Sequence, residues 1–266
     1  MHKYFPKNET FYFTILRDPY TQWVSAFLYF RISRIFRFNS LNVIKKFMKK
    51  LPMGLLKTLQ KHYPILNLIK NPNLFDLGYE NTLEHNNKEV GNYVKSLDED
   101  FDLVMYMEDF DSSLLVLKEM LCLDYEDINY LKMNQNILRE QKQYDFNGDP
   151  EFKQIIYEIN SADFFLYKYF LLIFNDYTKL VKSKIEIYQR KLANLYETCV
   201  EKRINEIAFG ARDYYGYKIK ETLSLSEHQK CKTYATNENT FTRLICEKFK
   251  NRIKDIRNRK YLNLKF

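Results

Sequence analysis

The chain has 266 residues, of which 45% are hydrophobic and 17% aromatic, so it can bury a sizeable core and is not intrinsically disordered. Six glycines, six prolines and the absence of GxGxxG and GxxxxGK[ST] exclude collagen-like chains and the common glycine-rich nucleotide motifs. The formal net charge is +8, but residues 248–266 alone hold five Lys and three Arg against one Asp. The charge therefore indicates a basic tail over 248–266, and we expect no nucleic-acid partner.

The first predicted strand–turn–helix unit opens near the start of the chain. Thr10–Leu16 (TFYFTIL) is aromatic and β-branched, which is typical of a buried strand. Asp18 is a favoured helix N-cap and Pro19 a favoured first helical residue, so a helix should begin there. Apolar residues at helical spacing extend that helix to about Arg31.

Between about Arg31 and Asp100 the sequence contains a basic stretch, a loop and a short helix. Val43–Lys61 is basic and amphipathic and is broken near Pro52; it is typical of a solvated helix face, with a surface for acidic lipid headgroups as the alternative. Asn71–Asn86 predicts a loop with turns at Asn71-Pro72 and at Gly78, and Val90–Leu97 predicts a short helix.

A second strand–turn–helix unit follows. Phe101–Met107 (FDLVMYM) repeats the buried-strand pattern, and Asp111-Ser112 should cap the helix after it. Ile128–Met133 is a candidate third short strand. Two such units indicate an α/β fold with a short parallel sheet.

The C-terminal half is predicted to be helical. Helices are expected over Glu151 to about Phe174, Tyr177 to about Asn205 and Asn239 to about Arg257, with Phe209–Ser226 irregular. The longest strongly apolar stretch has eleven residues, too few for the roughly 20 that cross a bilayer, so we expect no transmembrane segment in this chain. Without repeats or linkers, residues 1–266 are predicted to form one domain.

The four cysteines show neither a CxxC pair nor the spacing of metal ligands, so we expect no metal site. Four cysteines allow three complete pairings, and spacing alone does not choose among them.

Arg17 and Ser25 are the candidate binding residues. Arg17 follows a strand at its carboxyl end, where ligands of open α/β sheets collect, and Ser25 lies eight residues on in the next helix. Helix N-termini attract phosphate, and a guanidinium can hold it through two parallel hydrogen bonds. The alternative is an arginine paired with a surface carboxylate and a serine on a solvated face.

Several segments resemble one protein family. FTILRDPYTQWVSAFLYF (Phe13–Phe30) resembles the 3′-phosphate-binding element of sulfotransferases that use 3′-phosphoadenosine 5′-phosphosulfate, most closely that of the galactose-3-O-sulfotransferase family. Further segments resemble the same family in the same order: Asn71–Leu83, Asp100–Cys122, Ile128–Asn134 and Tyr215–Leu223 with Cys231.

The resemblance implies a P-loop-type α/β sulfotransferase fold with a large helical C-terminal complement. It implies transfer of a sulfuryl group from 3′-phosphoadenosine 5′-phosphosulfate to the 3-hydroxyl of galactose on a glycolipid such as galactosylceramide, or on a glycan. Arg17 and Ser25 would bind the 3′-phosphate of the donor, and no metal is required. The expected location is the luminal side of the Golgi membrane, which permits disulfides; Cys199 with Cys231 is the preferred pair.

The chain departs from the family pattern at its start. It opens just before the 3′-phosphate strand, so we expect the membrane anchor, the 5′-phosphosulfate loop and the catalytic base to be absent from it. The catalytic base stays unassigned: the four histidines are interpreted as surface residues, and the acidic cluster Glu108–Asp111 as a helix cap rather than an acceptor site. Two alternatives remain: an inactive paralogue that keeps the fold, and a basic binder of nucleic acid or membrane.

Overall fold

The computed structural model describes residues 5–80, 86–133, 144–208, 212–237 and 239–250. By its internal contacts the chain divides into two compact units: Met1–Ile128 with Leu138–Ile187, and Asn129–Ile137 with Tyr188–Phe266. The prediction that residues 1–266 form one domain is not tested by this division.

A two-stranded parallel sheet lies in the first unit. Strand β1 (Phe13–Leu16) pairs with strand β2 (Leu103–Tyr106), in a register that joins Phe13 to Leu103 and Leu16 to Tyr106. Both strands fall inside the predicted stretches, with shorter bounds. Their parallel pairing within a mostly helical unit agrees with the predicted α/β class, while the P-loop-type assignment stays a prediction.

Helices make up most of the rest of the first unit. Between the strands lie α1 (Pro19–Tyr29), α2 (Ile32–Phe36), α3 (Leu41–Lys50), α4 (Met53–Gln60), α5 (Pro72–Asp76) and α6 (Asn87–Asp100), with a 3₁₀ segment at Pro64–Ile69. After β2 come α7 (Phe110–Leu121), α8 (Pro150–Ile159) and α9 (Ser161–Val181), with 3₁₀ segments at Phe146–Gly148 and Lys182–Lys184.

Two hydrophobic clusters hold the first unit together. In one, Trp23 stacks on Phe27 with ring centroids 4.8 Å apart, among the buried faces of α1, α3, α4 and α8. In the other, Leu166, Phe170 and Phe174 recur every four residues along α9, so that one side of this helix covers the sheet. The sheet is therefore fixed from one face by a long helix.

Several predicted elements of the first unit need correction. Asn71–Asn86 was predicted as a loop, yet residues 72–76 form α5, which Asn71 (φ 49°) and Gly78 (φ 93°) bound in the left-handed region; residues 81–85 lie outside the described part. The cap of α7 is Asp109 and not Asp111-Ser112, because Ser112 is buried and Asp111 lies in the first turn.

The helix predicted over Glu151 to about Phe174 is two helices, α8 and α9, separated at Asn160, and α9 continues to Val181, past the predicted start of the next helix at Tyr177. The Asn160 side chain accepts a hydrogen bond from the Asn71 backbone amide (2.6 Å) and donates one to the Ile156 carbonyl (2.9 Å). The hydrogen bond to Asn71, 89 positions away, explains why the helix is interrupted at Asn160. The helical spacing of apolar residues in the sequence cannot predict such a contact.

The second unit has a different architecture. Helix α10 (Ile185–Cys199) leads into the antiparallel strands β3 (Val200–Ala208) and β4 (Arg212–Ile219), followed by α11 (Leu225–Tyr234) and a helix over 239–250. The prediction of a helix to Asn205 was wrong, because the helix ends at Cys199 and cross-strand pairing overrides the helix-like spacing of apolar residues in β3. Of the stretch Phe209–Ser226 that was predicted to be irregular, residues 212–219 form β4 and α11 begins at Leu225, while residues 220–224 are irregular as predicted and residues 209–211 lie outside the described part.

The predicted third strand, Ile128–Met133, was also wrong, since residues 128–133 are irregular. Leu131 is instead buried against Tyr217, whose hydroxyl donates to the Lys132 carbonyl (2.6 Å). The preferred disulfide is confirmed: Cys199 is bonded to Cys231, with Cα atoms 5.3 Å apart, while Cys122 and Cys246 are free and exposed.

Among the described helices, none combines the length and the apolar character needed to cross a lipid bilayer.

Candidate functional site

The candidate site lies at the carboxyl edge of the parallel sheet. Because β1 and β2 run in the same direction, the segments that leave them, Arg17–Asp18 and Met107–Asp109, meet at one edge. The Met107 amide donates to the Leu16 carbonyl (2.9 Å), which holds the two ends together. This is where open α/β sheets bind ligands.

Asp18 starts α1 as predicted. Its carboxylate accepts a hydrogen bond from the Thr21 amide (3.0 Å), and Pro19 occupies the first helical turn. The N-terminus of an eleven-residue helix, which is the positive end of its dipole, therefore lies at the sheet edge, with the amides of Asp18 and Thr21 already bound by Glu108 and Asp18.

Arg17 is half-buried at this edge and is held by both its backbone and its side chain. Its carbonyl accepts a hydrogen bond from the Asn73 side-chain amide (3.2 Å), and its Nε donates to the Thr21 hydroxyl (3.2 Å). Within the described ranges, no carboxylate forms an ion pair with Arg17. The alternative of an arginine paired with a surface carboxylate is therefore not seen there, and the two terminal nitrogens of its guanidinium are available to an anion.

Ser25 lies on the same side of α1 as Thr21, since residues four apart neighbour each other on a helix. It is half-buried, and the described part of the chain offers its hydroxyl no hydrogen bond. Thr21 stands between Arg17 and Ser25 and was missed from the sequence. The repeated spacing of four, Arg17, Thr21 and Ser25, is the signal that could have identified it.

Glu108 joins the two segments that form the edge. Its Oε1 accepts from the Asp18 amide (2.9 Å) and lies 3.2 Å from the Thr21 hydroxyl, while its Oε2 accepts from the Tyr167 hydroxyl (3.3 Å). The single Thr21 proton goes either to Glu108 or to the Asp18 carbonyl at 3.1 Å. Glu108 thus fixes the Arg17–Asp18 turn against β2. Neither interpretation of the acidic cluster from the sequence, as a helix cap or as an acceptor site, included this role.

Two tyrosines close the edge from α8 and α9. The Tyr157 hydroxyl donates to Asp18 Oδ2 (2.7 Å), as the Tyr167 hydroxyl does to Glu108. Burial raises the pKa of both hydroxyls, and the neighbouring carboxylates raise the same pKa values further. Both groups therefore remain neutral hydrogen-bond donors near neutral pH.

The buried carboxyl group of Asp163 holds Asn73, which in turn binds the backbone carbonyl of Arg17. Asp163 has no exposed surface and accepts hydrogen bonds from the amides of Asn73 (2.8 Å) and Leu74 (2.9 Å) at the start of α5. Burial raises the pKa of Asp163 to about 7, although the two amide hydrogen bonds act in the opposite direction. The chain of contacts runs from Asp163 through Asn73 to the carbonyl of Arg17.

The remaining candidates lie elsewhere. His62 is exposed and His228 half-exposed in the second unit, whereas His2 and His85 lie outside the described residues. No group of three or more His, Cys, Asp or Glu side chains in the described part is placed to hold a metal ion. A cavity of about 120 Å³ beside Leu103 and Phe174 opens at the amino end of β2, opposite to the candidate site.

Comparison with known proteins gives one family. The sequence profile of the family described as Galactose-3-O-sulfotransferase matches residues 1–195. Human galactosylceramide sulfotransferase is 32% identical over 136 residues, and the alignment covers 48% of this chain and 30% of the human protein. The mouse galactosylceramide sulfotransferase is 24% identical over 249 residues, covering 85% of this chain and 56% of the mouse protein.

Pig galactose-3-O-sulfotransferase 2 is 25% identical over 263 residues, which cover 91% of this chain and 64% of the pig protein. The chain thus spans between about a third and about two thirds of the length of these relatives. No solved structure matches the chain.

Proposed function

Because the chain belongs to the galactose-3-O-sulfotransferase family, we propose that it transfers a sulfuryl group to the 3-hydroxyl of galactose. The proposed donor is 3′-phosphoadenosine 5′-phosphosulfate, and the proposed acceptor is a galactose-terminated glycolipid or glycan. The names of the relatives that share up to 32% identity with this chain support a galactose acceptor. The proposed location is the luminal side of the Golgi membrane.

One observation carries the donor assignment: the guanidinium of Arg17 lies at the carboxyl edge of the sheet without a carboxylate ion pair among the described residues. The N-terminus of α1 adds a positive potential, and Ser25 presents a hydroxyl that has no hydrogen bond among the described residues, whereas the Thr21 proton is held by Glu108 or by the Asp18 carbonyl. These groups fit a phosphate, and in the family resemblance Arg17 and Ser25 hold the 3′-phosphate of the donor.

In the proposed reaction the galactose 3-oxygen forms a bond to sulfur while the bond from sulfur to the 5′-phosphate oxygen breaks. The hydroxyl proton passes to a base, and adenosine 3′,5′-bisphosphate leaves. This chain's contribution at the described site is to hold the nucleotide: Arg17 and Ser25 bind its 3′-phosphate, and the hydrogen bond from the Asp18 amide to Glu108 keeps the Arg17–Asp18 turn in place. Fixed placement of the donor lowers the barrier by reducing the entropy lost in the reaction.

A sulfate-transfer assay tests the proposal directly. The chain is incubated with radiolabelled donor and with either galactosylceramide or lactosamine, and the product is analysed for sulfate at the galactose 3-position. Transfer to either acceptor that is lost in Arg17→Ala supports the proposal, and the preferred acceptor identifies the substrate class. Nucleotide binding without transfer to either one contradicts the enzyme assignment for this chain and favours an inactive paralogue.

A further inference from the structure

The helix over residues 239–250 of the second unit presents an apolar side to the solvent. Four large apolar side chains of this helix are between 37% and 53% exposed: Phe241, Leu244, Ile245 and Phe249. Their spacing of three and four residues places them on one side of the helix. All positions of the helix from Phe241 onward are exposed, so this side is open to a partner.

The other side of the same helix is polar. Arg243, Glu247 and Lys250 follow helical spacing there, and a terminal nitrogen of Arg243 lies 3.9 Å from a carboxylate oxygen of Glu247. Lys248 lies among the apolar side chains, with its ammonium 5.8 Å from the centre of the Phe249 ring. Lys248 and Lys250 are exposed, and within the described ranges neither pairs with a carboxylate. The helix is therefore amphipathic and carries two cations that are available to an anion.

The sequence continues this positive charge beyond the helix. Residues 248–266 hold five Lys and three Arg against one Asp, a net charge of +7. The proposed sulfotransfer reaction gives this basic segment no role. Cations beside exposed phenylalanine and aliphatic side chains are typical of helices that lie in the surface of a membrane.

Charge and apolar exposure on one helix distinguish between two kinds of anionic partner. A soluble polyanion would interact with the lysines but would gain little from Leu244 or Ile245. A membrane that carries negative charge interacts with both, because apolar side chains enter the headgroup region while lysines remain among the anionic groups. The combination therefore favours a membrane surface over a soluble sulfated glycan.

The proposed function supplies negative charge on the luminal side of the membrane. Transfer of a sulfuryl group to a galactosylceramide-type acceptor converts a neutral headgroup into a sulfate monoester, which stays anionic at physiological pH. Acceptor and product thus differ in charge at the membrane surface. A basic helix attracted by that charge binds a membrane that holds the product more strongly than one that holds only the acceptor.

We propose that the helix over residues 239–250 binds the luminal surface of membranes that contain sulfated galactolipid, the product of the proposed reaction. Its apolar side enters the headgroup region, and Lys248 and Lys250 interact with the sulfate groups. The identity of the lipid rests on the proposed function, whereas the binding itself requires no transfer of sulfate.

Vesicle flotation of the full chain tests this proposal. Phosphatidylcholine vesicles are prepared alone, with galactosylceramide, or with 3-O-sulfated galactosylceramide, and the bound fraction is measured without nucleotide donor. We expect strong binding only with the sulfated lipid, and we expect high salt to weaken it. Because the sulfated lipid is supplied, failure to bind it is distinct from failure of the sulfate-transfer assay.

Two lysine variants test the charge contribution. Lys248→Gln/Lys250→Gln should lose about 25-fold in vesicle binding at low salt, about fivefold for each lysine. The matched control, Lys88→Gln/Lys95→Gln, removes the same charge from exposed positions of α6 and should stay within about twofold of the parent chain. Both variants keep residues 251–266, so any contribution of that segment cancels.

Two aliphatic variants test the contact of the apolar side. Leu244→Gln/Ile245→Gln should lose at least about tenfold in vesicle binding while it keeps its retention on heparin, because only a bilayer receives these side chains. The matched control, Leu172→Gln/Leu180→Gln, replaces aliphatic residues of α9 that are 72% and 77% exposed, and it should bind like the parent.

Circular dichroism and thermal unfolding verify that each variant is folded. Equal binding to the three kinds of vesicle, or no binding to any of them, would overturn the proposal, as would equal losses in the two lysine variants. Unchanged vesicle binding of Leu244→Gln/Ile245→Gln would also overturn it, since the helix would then bind sulfate groups without entering the membrane surface.

Discussion

The side-chain amide of Asn73 donates a hydrogen bond of 3.2 Å to the backbone carbonyl of Arg17, 56 positions earlier in the sequence. Asn73 is 6% exposed, and its own backbone amide is bound by the buried carboxyl group of Asp163. The residue proposed to hold the donor's 3′-phosphate is thus positioned from the interior of the protein, by a helix start that the sequence alone did not connect with it.

Asn73→Ala should therefore weaken nucleotide binding without touching the nucleotide. Loss of the hydrogen bond leaves the Arg17 carbonyl less well fixed and should cost about 1 kcal/mol of stability, with an affinity for adenosine 3′,5′-bisphosphate about fivefold lower. Urea unfolding and titration calorimetry measure the two effects. Asn92→Ala, at an exposed position of α6, is the control and should change neither; an unchanged affinity in Asn73→Ala would contradict the positioning role.

Asp163 predicts a pH dependence of stability. Its pKa is raised to about 7 in the fold, above the ordinary 3.8. Burial is the main cause of the rise, and the negative charge of Asp76 adds a small further increase. The folded state therefore holds a proton that the unfolded state releases, and stability should fall as the pH rises from about 4 to about 7, by up to about 1.4 kcal/mol per pH unit.

The variant Asp163→Asn has no titrating side chain at this position. It also keeps only one of the two oxygens that accept hydrogen bonds from the amides of Asn73 and Leu74. Its unfolding free energy should be lower than that of the parent chain at acidic pH, and the difference should shrink toward pH 7. Urea unfolding at several pH values checks this prediction; a constant difference between the two proteins would show that Asp163 does not titrate in this range.

Tyr157→Phe tests the hydroxyl that supports the N-cap of α1. Its hydrogen bond to Asp18 (2.7 Å) is to a charged group in a partly buried place, so its loss should cost about 1.5 kcal/mol. Tyr169→Phe is the matched control, because the Tyr169 hydroxyl donates to Asp98 (2.8 Å) where water can replace it. Thermal unfolding should separate the two variants, and equal shifts in Tm would be inconsistent with a supporting role for Tyr157.

The disulfide Cys199–Cys231 closes a loop of 32 positions in the second unit. In the chain-entropy description, cross-linking such a loop stabilises the fold by about 3–4 kcal/mol. Mild reduction, or Cys199→Ser/Cys231→Ser, should therefore expose the β3–β4 region to protease.

Peptide mapping after thiol alkylation checks the pairing itself. Cys122 and Cys246 should be modified before reduction, and all four cysteines after it. Modification of Cys199 or Cys231 in the unreduced protein would be inconsistent with the pairing, and Cys122→Ser/Cys246→Ser should leave protease resistance unchanged.

Local rules predicted the part of the fold that local chemistry determines. The aromatic strand before Arg17 and the Asp18-Pro19 start of α1 could be predicted because an N-cap and a first-turn proline act within four residues. Helical spacing failed at the start of β3: the predicted helix ran through Val200 and Ile204, which are four residues apart as in a helix, but pairing with β4 determines the structure there.

The candidate site divides in the same way. Arg17 and Ser25 were predicted from the turn and from a family resemblance, and their binding role stays a prediction. Glu108 and Asp163 could not be found from the sequence, because each acts on a residue about 90 positions away. Such long-range hydrogen bonds leave no periodic or local signal.

The most direct test of the account is the affinity of the chain for adenosine 3′,5′-bisphosphate, measured by titration calorimetry in the parent protein, Arg17→Ala, Arg17→Lys and Arg34→Ala. We expect the parent to bind and Arg17→Ala to lose at least about tenfold in affinity. Arg17→Lys should recover only part of this loss, because lysine cannot form the paired hydrogen bonds of a guanidinium. Arg34→Ala, an exposed arginine of α2, should bind like the parent. No binding by the parent, or equal affinities of Arg17→Ala and Arg34→Ala, would contradict the proposed donor site.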